Sequence, residues 1–157
     1  MTMQKIDFYN QAPGAIKILL DQEEYLKACF SDSAELGMAL LELVKLRVSQ
    51  VNQCAFCIDM HTKDAVAMGE SPQRIYALSA WRDAPFFSNR ERLALDWAES
   101  LTLNQDIDDD RMKALQDMWS DADIVNLTIA VNAINSWNRI ARTFKPEVGG
   151  YQSPLQN

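Results

Sequence analysis

The chain has 157 residues, 48% hydrophobic and 24% charged, proportions ordinary for a single globular domain long enough to bury a core. A net charge of −7 and a pI near 4.6 exclude the basic surface that a nucleic-acid binder needs. No apolar run reaches the roughly 18 residues of a membrane span, and Met-Thr-Met-Gln-Lys-Ile-Asp at the N-terminus lacks the apolar stretch of a secretory leader. A cytosolic protein is the expectation, and in that compartment a close cysteine pair points to redox chemistry or metal binding before a structural staple.

Residues 1–12 show no periodicity and read as an extended arm. Pro13 suits the first turn of a helix to about Cys29, with Ile16, Leu19, Leu20, Tyr25 and Leu26 as its apolar face. After the break at Ser31-Asp32-Ser33, a second helix spans about Ala34 to Val51 and is apolar on more than one face, the pattern of a largely buried helix. Asn52-Gln53 offers an N-cap for the next helix but no Gly or Pro to enforce a turn. That helix closes at Met68-Gly69. Ser71-Pro72 opens a short helix to about Trp81, Ser88-Asn-Arg-Glu91 is a capping box for one through Leu101, and another runs from about Asp108 to Trp119. The last extends from Ser120 to about Phe144 and stops at Lys145-Pro146, leaving 147–157 as a tail. Nothing alternates with period two, so the fold class is all-α, one domain of six to seven helices.

The chemistry concentrates in Cys54-Ala-Phe-Cys57-Ile-Asp-Met-His61-Thr-Lys-Asp64, which holds two of the three cysteines and the only histidine. Taken as a helix beginning near Asn52, it sets Cys57 about 60° and His61 about 20° from Cys54, so two thiols and an imidazole share one stripe. A reactive cysteine needs its thiolate stabilised or its proton removed. The positive helix end favours Cys54, while His61, one turn beyond Cys57, favours that sulfur. Residue type and spacing therefore leave the attacking cysteine open. Residues i and i+3 are close enough for a disulfide after small adjustment, so one sulfur oxidised to sulfenic acid can condense with the other.

Glu42-Leu-Val-Lys-Leu-Arg-Val-Ser-Gln-Val-Asn-Gln-Cys54-Ala-Phe-Cys57-Ile-Asp-Met-His61 resembles the signature of the alkylhydroperoxidase AhpD-like family, within the carboxymuconolactone decarboxylase superfamily. Ala130-Val-Asn-Ala-Ile-Asn-Ser-Trp137-Asn-Arg-Ile140 resembles its short, single-domain members, so the likeness covers most of residues 13–146. The resemblance implies an all-α, thiol-dependent peroxidase acting on small hydroperoxides without a cofactor. Carried over by position, Cys57 attacks the peroxide, Cys54 resolves, His61 moves the proton, and Glu42 orients or charges the imidazole. It also implies a trimer or hexamer and a dithiol reductant, lipoyl-type or thioredoxin-like. The best-known family peroxidases carry a histidine between the cysteines; here that position is Phe56, which moves no proton.

Competing readings attach to the same residues. Cys54, Cys57 and His61 are three good zinc ligands, but a structural site needs a fourth, with only Cys29 or a carboxylate to supply it. A lyase of the wider superfamily would use His61 and Glu42 with the cysteines incidental, and a non-enzymatic redox sensor or zinc-stabilised module is the third possibility. Glu42 could instead pair with Lys45 at i+3, and Asp64 could replace Glu42 as orienting acid. Cys29 reads as inert packing, and Asp106 to Asp110 as a solvated helix start without the glycine and distal glutamate of a calcium loop.

Overall fold

The computed structural model describes residues 5–155. Eight α-helices follow in order: α1 (Phe8–Gln11), α2 (Pro13–Asp32), α3 (Met38–Val51), α4 (Ala55–Ala67), α5 (Pro72–Ala77), α6 (Asn89–Thr102), α7 (Asp109–Gln116) and α8 (Asp121–Phe144), with a 3₁₀ turn at Leu78–Ala80. No strand occurs among the described residues, so the all-α expectation holds. The helix beyond the expected seven is α1, a single turn within the presumed arm, capped where Asp7 accepts from the Asn10 N–H; residues 1–4 lie outside the described ones.

α3 is the axis of the domain, packing against α4, α6 and α8. From Leu40 to Leu46 every residue is buried, the charged Glu42 and Lys45 included. It starts later than its sequence suggests: residues 33–37 form a turn in which the Ser33 hydroxyl accepts from the Glu35 and Leu36 N–H groups, and Gly37 adopts a φ of 76°. The main core joins Leu26 and Phe30 of α2, Leu41 and Val44 of α3, and Leu127 and Val131 of α8. A second cluster, including Leu43, Leu46, Trp81 and Leu95, fills the other side of α3.

The junction between α3 and α4 fixes the register of the motif. Gln53 takes the left-handed conformation at φ 54°, a role more often given to glycine. The Cys54 N–H reaches back to the Ser49 carbonyl and the Gln53 N–H to that of Gln50, a Schellman closure of α3. Cys54 is also the N-cap of α4, its sulfur accepting from the Cys57 N–H. Thus α4 begins two to three residues later than the sequence implies, and Cys54 caps the helical stripe rather than lying on it.

A buried amide network holds this junction to α8. Asn52 Nδ2 donates to the side-chain oxygens of Asn135 and Asn138, each at 2.9 Å. Asn138 Nδ2 donates to Ser49 Oγ, which donates to the Lys45 carbonyl. Truncating Asn138 removes one of two acceptors from Asn52 Nδ2 and the donor to Ser49 Oγ inside a buried network. Asn138→Ala is expected to lower the unfolding free energy by about 1–3 kcal/mol in urea titrations; an unchanged midpoint would show that the network does not carry the junction.

Candidate functional site

The Sγ atoms of Cys54 and Cys57 are joined in a disulfide with Cα atoms 5.3 Å apart. The residues are 1% and 2% exposed, and with Ala141 of α8 they form a small cluster flanked by Phe56. Cys57 lies in the first turn of α4, where unpaired N–H groups and the helix dipole favour negative charge on either sulfur.

His61, one turn further along α4, meets Glu42 of α3 through Nδ1 and Oε2 at 2.9 Å, both side chains buried. A neutral imidazole making this bond carries its proton on Nδ1, which donates to the carboxylate, and leaves Nε2 as the acceptor. Burial pushes the Glu42 carboxyl up, but the His61 hydrogen bond, then the charges of His61 and Lys45, outweigh it, and the group lies below its ordinary value. The structure thus brings together all four residues singled out from sequence: Glu42, Cys54, Cys57 and His61.

The expected rivals of Glu42 are otherwise engaged. Lys45 Nζ pairs with Glu23 of α2, not with Glu42. Asp64 accepts from the Tyr151 hydroxyl, at 2.9 and 3.1 Å to its two oxygens. Cys29 is half-buried against the main core, and burial raises its thiol above the ordinary value, followed in effect by Asp123 and Asp32. Asp108 caps α7 by accepting from the Arg111 N–H, and Asp109 and Asp110 occupy its first turn.

Tyr151 is a site residue that the sequence does not announce. The C-terminal segment folds back along α4: Lys63 Nζ donates to the Gly149 and Tyr151 carbonyls while pairing with Asp59. Nothing in a Gly-Gly-Tyr stretch marks such a return, since the partners are main-chain oxygens and the carboxylate of Asp64, 87 positions away. Burial, then the Asp64 hydrogen bond and charge, and finally Glu42 raise the Tyr151 phenol above its usual value, so it stays a neutral donor.

These groups share a cavity of about 390 Å³, bordered by Glu42, Cys57, His61, Asp64 and Tyr151, with Phe8, Phe56 and Trp137 among its apolar walls. Cys57 borders it and Cys54 does not. One donor atom each from Glu42, His61 and Asp64 lies within 4.8 Å of the others, a set chemically able to hold a divalent cation; it includes neither sulfur. An apolar pocket with a bonded sulfur pair, an imidazole and an anchored carboxylate has the parts for thiol redox chemistry or proton transfer.

Residues 21–100 match the carboxymuconolactone decarboxylase family. The chain is 41% identical over 140 residues to the uncharacterized protein YdfG of Bacillus subtilis (strain 168), covering 88% of this chain and 92% of YdfG. It superposes with a TM-score of 0.84 and 35% identity on a protein of unknown function from Agrobacterium tumefaciens, for which the role of the antioxidant defence protein AhpD has been suggested, covering 94% of this chain and 99% of that one. A peroxidase-related protein with an alkylhydroperoxidase AhpD core from Ralstonia eutropha JMP134 shares the fold at a TM-score of 0.78 and 17% identity, over 90% of this chain and 74% of the other. By helical architecture and by sequence, the chain belongs to the carboxymuconolactone decarboxylase family as an AhpD-like member.

Proposed function

We propose that the chain is a thiol peroxidase that reduces organic hydroperoxides through Cys57 and Cys54, with His61 and Glu42 as its proton relay. The observation that carries this reading is the meeting of Cys57, His61 and Glu42 on one apolar cavity, with a second sulfur bonded to Cys57. In the dithiol state His61 Nε2 takes the Cys57 proton while Glu42 stabilises the imidazolium. The Cys57 thiolate attacks the outer peroxide oxygen; the O–O bond breaks, sulfur is oxidised to the sulfenic acid, and the alkoxide leaves as the alcohol with the proton from His61. Cys54 then attacks the Cys57 sulfur, the S–O bond breaks, water leaves, and the disulfide forms. A dithiol reductant, lipoyl-type or thioredoxin-like, restores both thiols by exchange and becomes a disulfide itself.

With Phe56 between the cysteines, His61 is the only imidazole in the chain. The cycle needs a reducing compartment, consistent with the proposed cytosolic location; no helix among the described residues is long and apolar enough to cross a membrane. Exposed Tyr25 of α2 and Val125 of α8, beside the bond from the Tyr25 hydroxyl to Asn126, offer apolar surface for the proposed trimeric or hexameric assembly.

A lyase reading is favoured by one observation: the Glu42–His61 pair is complete without either sulfur. Such activity would survive replacement of both cysteines by serine, whereas the peroxide cycle would not.

A thiol map by mass spectrometry, before and after one equivalent of cumene hydroperoxide, separates these chemistries. The reduced protein is expected to gain the Cys54–Cys57 disulfide. Cys57→Ser should be inert, and Cys54→Ser should accumulate a dimedone-reactive sulfenic acid on Cys57; sulfenic acid on Cys54 in Cys57→Ser would reverse the two roles. His61→Ala is expected to slow peroxide consumption by about 10²–10⁴-fold, and an unchanged rate would remove His61 from the cycle. Because the folded Glu42 carboxyl lies below its ordinary 4.5, the stability from its ionisation is present above pH 4.5 and lost as pH falls through the folded value. Urea titrations of wild type and Glu42→Gln should therefore differ at pH 7 and converge at acid pH; a gap unchanged with pH would contradict an ionised Glu42 in the folded chain.

A further inference from the structure

Resting on the peroxidase reading, we propose that the cavity beside Cys57 admits uncharged hydroperoxides with an apolar body and turns away those carrying a carboxylate, with Glu23 and Lys45 setting that discrimination.

The apolar part of the site is supplied by Phe56, Met60, Ile134, Trp137 and Ile140, and its volume of about 390 Å³ accommodates a substituted aromatic ring. The charged part is unbalanced. Three carboxylates border the cavity, from Glu23, Glu42 and Asp64, against the ammonium of Lys45 and the imidazole of His61. No arginine is among the described residues that line it, and Lys45 is the one lysine.

Lys45 is not available to a ligand. Its side chain is 9% exposed, and its Nζ is held by Glu23 Oε2. The other oxygen of Glu23 is buried without a hydrogen-bond partner among the described residues, so Lys45 supplies the compensation that this carboxylate has. A ligand carboxylate drawing Lys45 away would leave Glu23 charged, partly buried and unpaired, which is costly. His61 Nδ1 is engaged by Glu42, which leaves a neutral imidazole only an acceptor at Nε2, and the Tyr151 hydroxyl is engaged by Asp64. An entering carboxylate therefore meets the carboxylates of Glu42 and Asp64, which approach within 4.8 Å of each other, and that of Glu23, while the one lysine of the lining is held in its ion pair. A neutral ligand of the same shape meets neither penalty, so selection arises by repulsion.

The pair itself gives the test. Glu23→Gln keeps the shape and releases Lys45, turning a shielded ammonium into a carboxylate receptor. Lys45→Met removes the cation and leaves Glu23 to repel more strongly. Titration calorimetry on the oxidised full chain at pH 7.5 would use 2-phenylpropan-2-ol derivatives bearing a para-carboxamide or a para-carboxylate, mimics of the product alcohol. In the wild type the carboxamide is expected to bind at least tenfold more tightly than the carboxylate. Glu23→Gln should bring the ratio to about one or invert it, and Lys45→Met should widen it; general loosening of the fold would not move the ratio in opposite directions. Equal affinities in the wild type, a ratio unmoved by Glu23→Gln, or binding of neither compound would overturn the proposal. These alcohols are not turned over, so selective binding without consumption of cumene hydroperoxide would sink the peroxidase reading and leave the charge selection standing.

Discussion

The 2.9 Å bond between His61 and Glu42 is the interaction on which the architecture turns. α3 is buried on all sides through its centre, and a carboxylate there is tolerable only with a partner that carries or donates a proton. The partner comes from α4, so the two helices must keep both their contact and their relative rotation. Lys45 poses the same problem one turn later and is answered from α2 by Glu23. Two buried charges on the central helix thus specify which neighbours may pack beside it.

Cys54 makes the rotation reproducible. Its N–H closes α3 on the Ser49 carbonyl, its sulfur caps α4 at the Cys57 N–H, and the same sulfur forms the disulfide. Its position is held in turn by Asn52, Asn135, Asn138 and Ser49, which tie the junction to α8. The proposed resolving sulfur is therefore part of the scaffold as well as of the chemistry. Cys57 has fewer structural duties and borders the cavity, an asymmetry consistent with the roles proposed for the two residues.

Much of this is legible in the chain, because short-range rules govern it. Period 3.6, the Ser88 and Ser120 caps, and Pro72 at a first turn place α5, α6 and α8 closely. The spacing of Glu42, the two cysteines and His61 points to the site through family resemblance. Less visible is whatever depends on conformations rare for the residue that adopts them or on partners far along the chain. Gln53 in a left-handed turn carries no local signal, so the cap moved from Asn52 to Cys54. Glu23 meets Lys45 across 22 positions and Asp64 meets Tyr151 across 87, beyond any periodicity. The return of the C-terminal segment rests on carbonyl oxygens that every sequence possesses.

The junction between α3 and α4 also acts as a gauge of length. Eleven residues separate Glu42 from Cys54, ten of them completing α3 and its cap and the last making the turn. With Gln53 and Cys54 both hydrogen-bonded back onto the helix, the connection has no slack to absorb an insertion. One added residue within the last turns of α3 would swing Glu42 by about 100° and slide it about 1.5 Å relative to α4, driving a carboxylate into apolar packing and stripping His61 of its partner. Substitutions at the surface of these helices can accumulate freely, but insertions and deletions in this interval cannot, so the interval should drift in composition while remaining fixed in number.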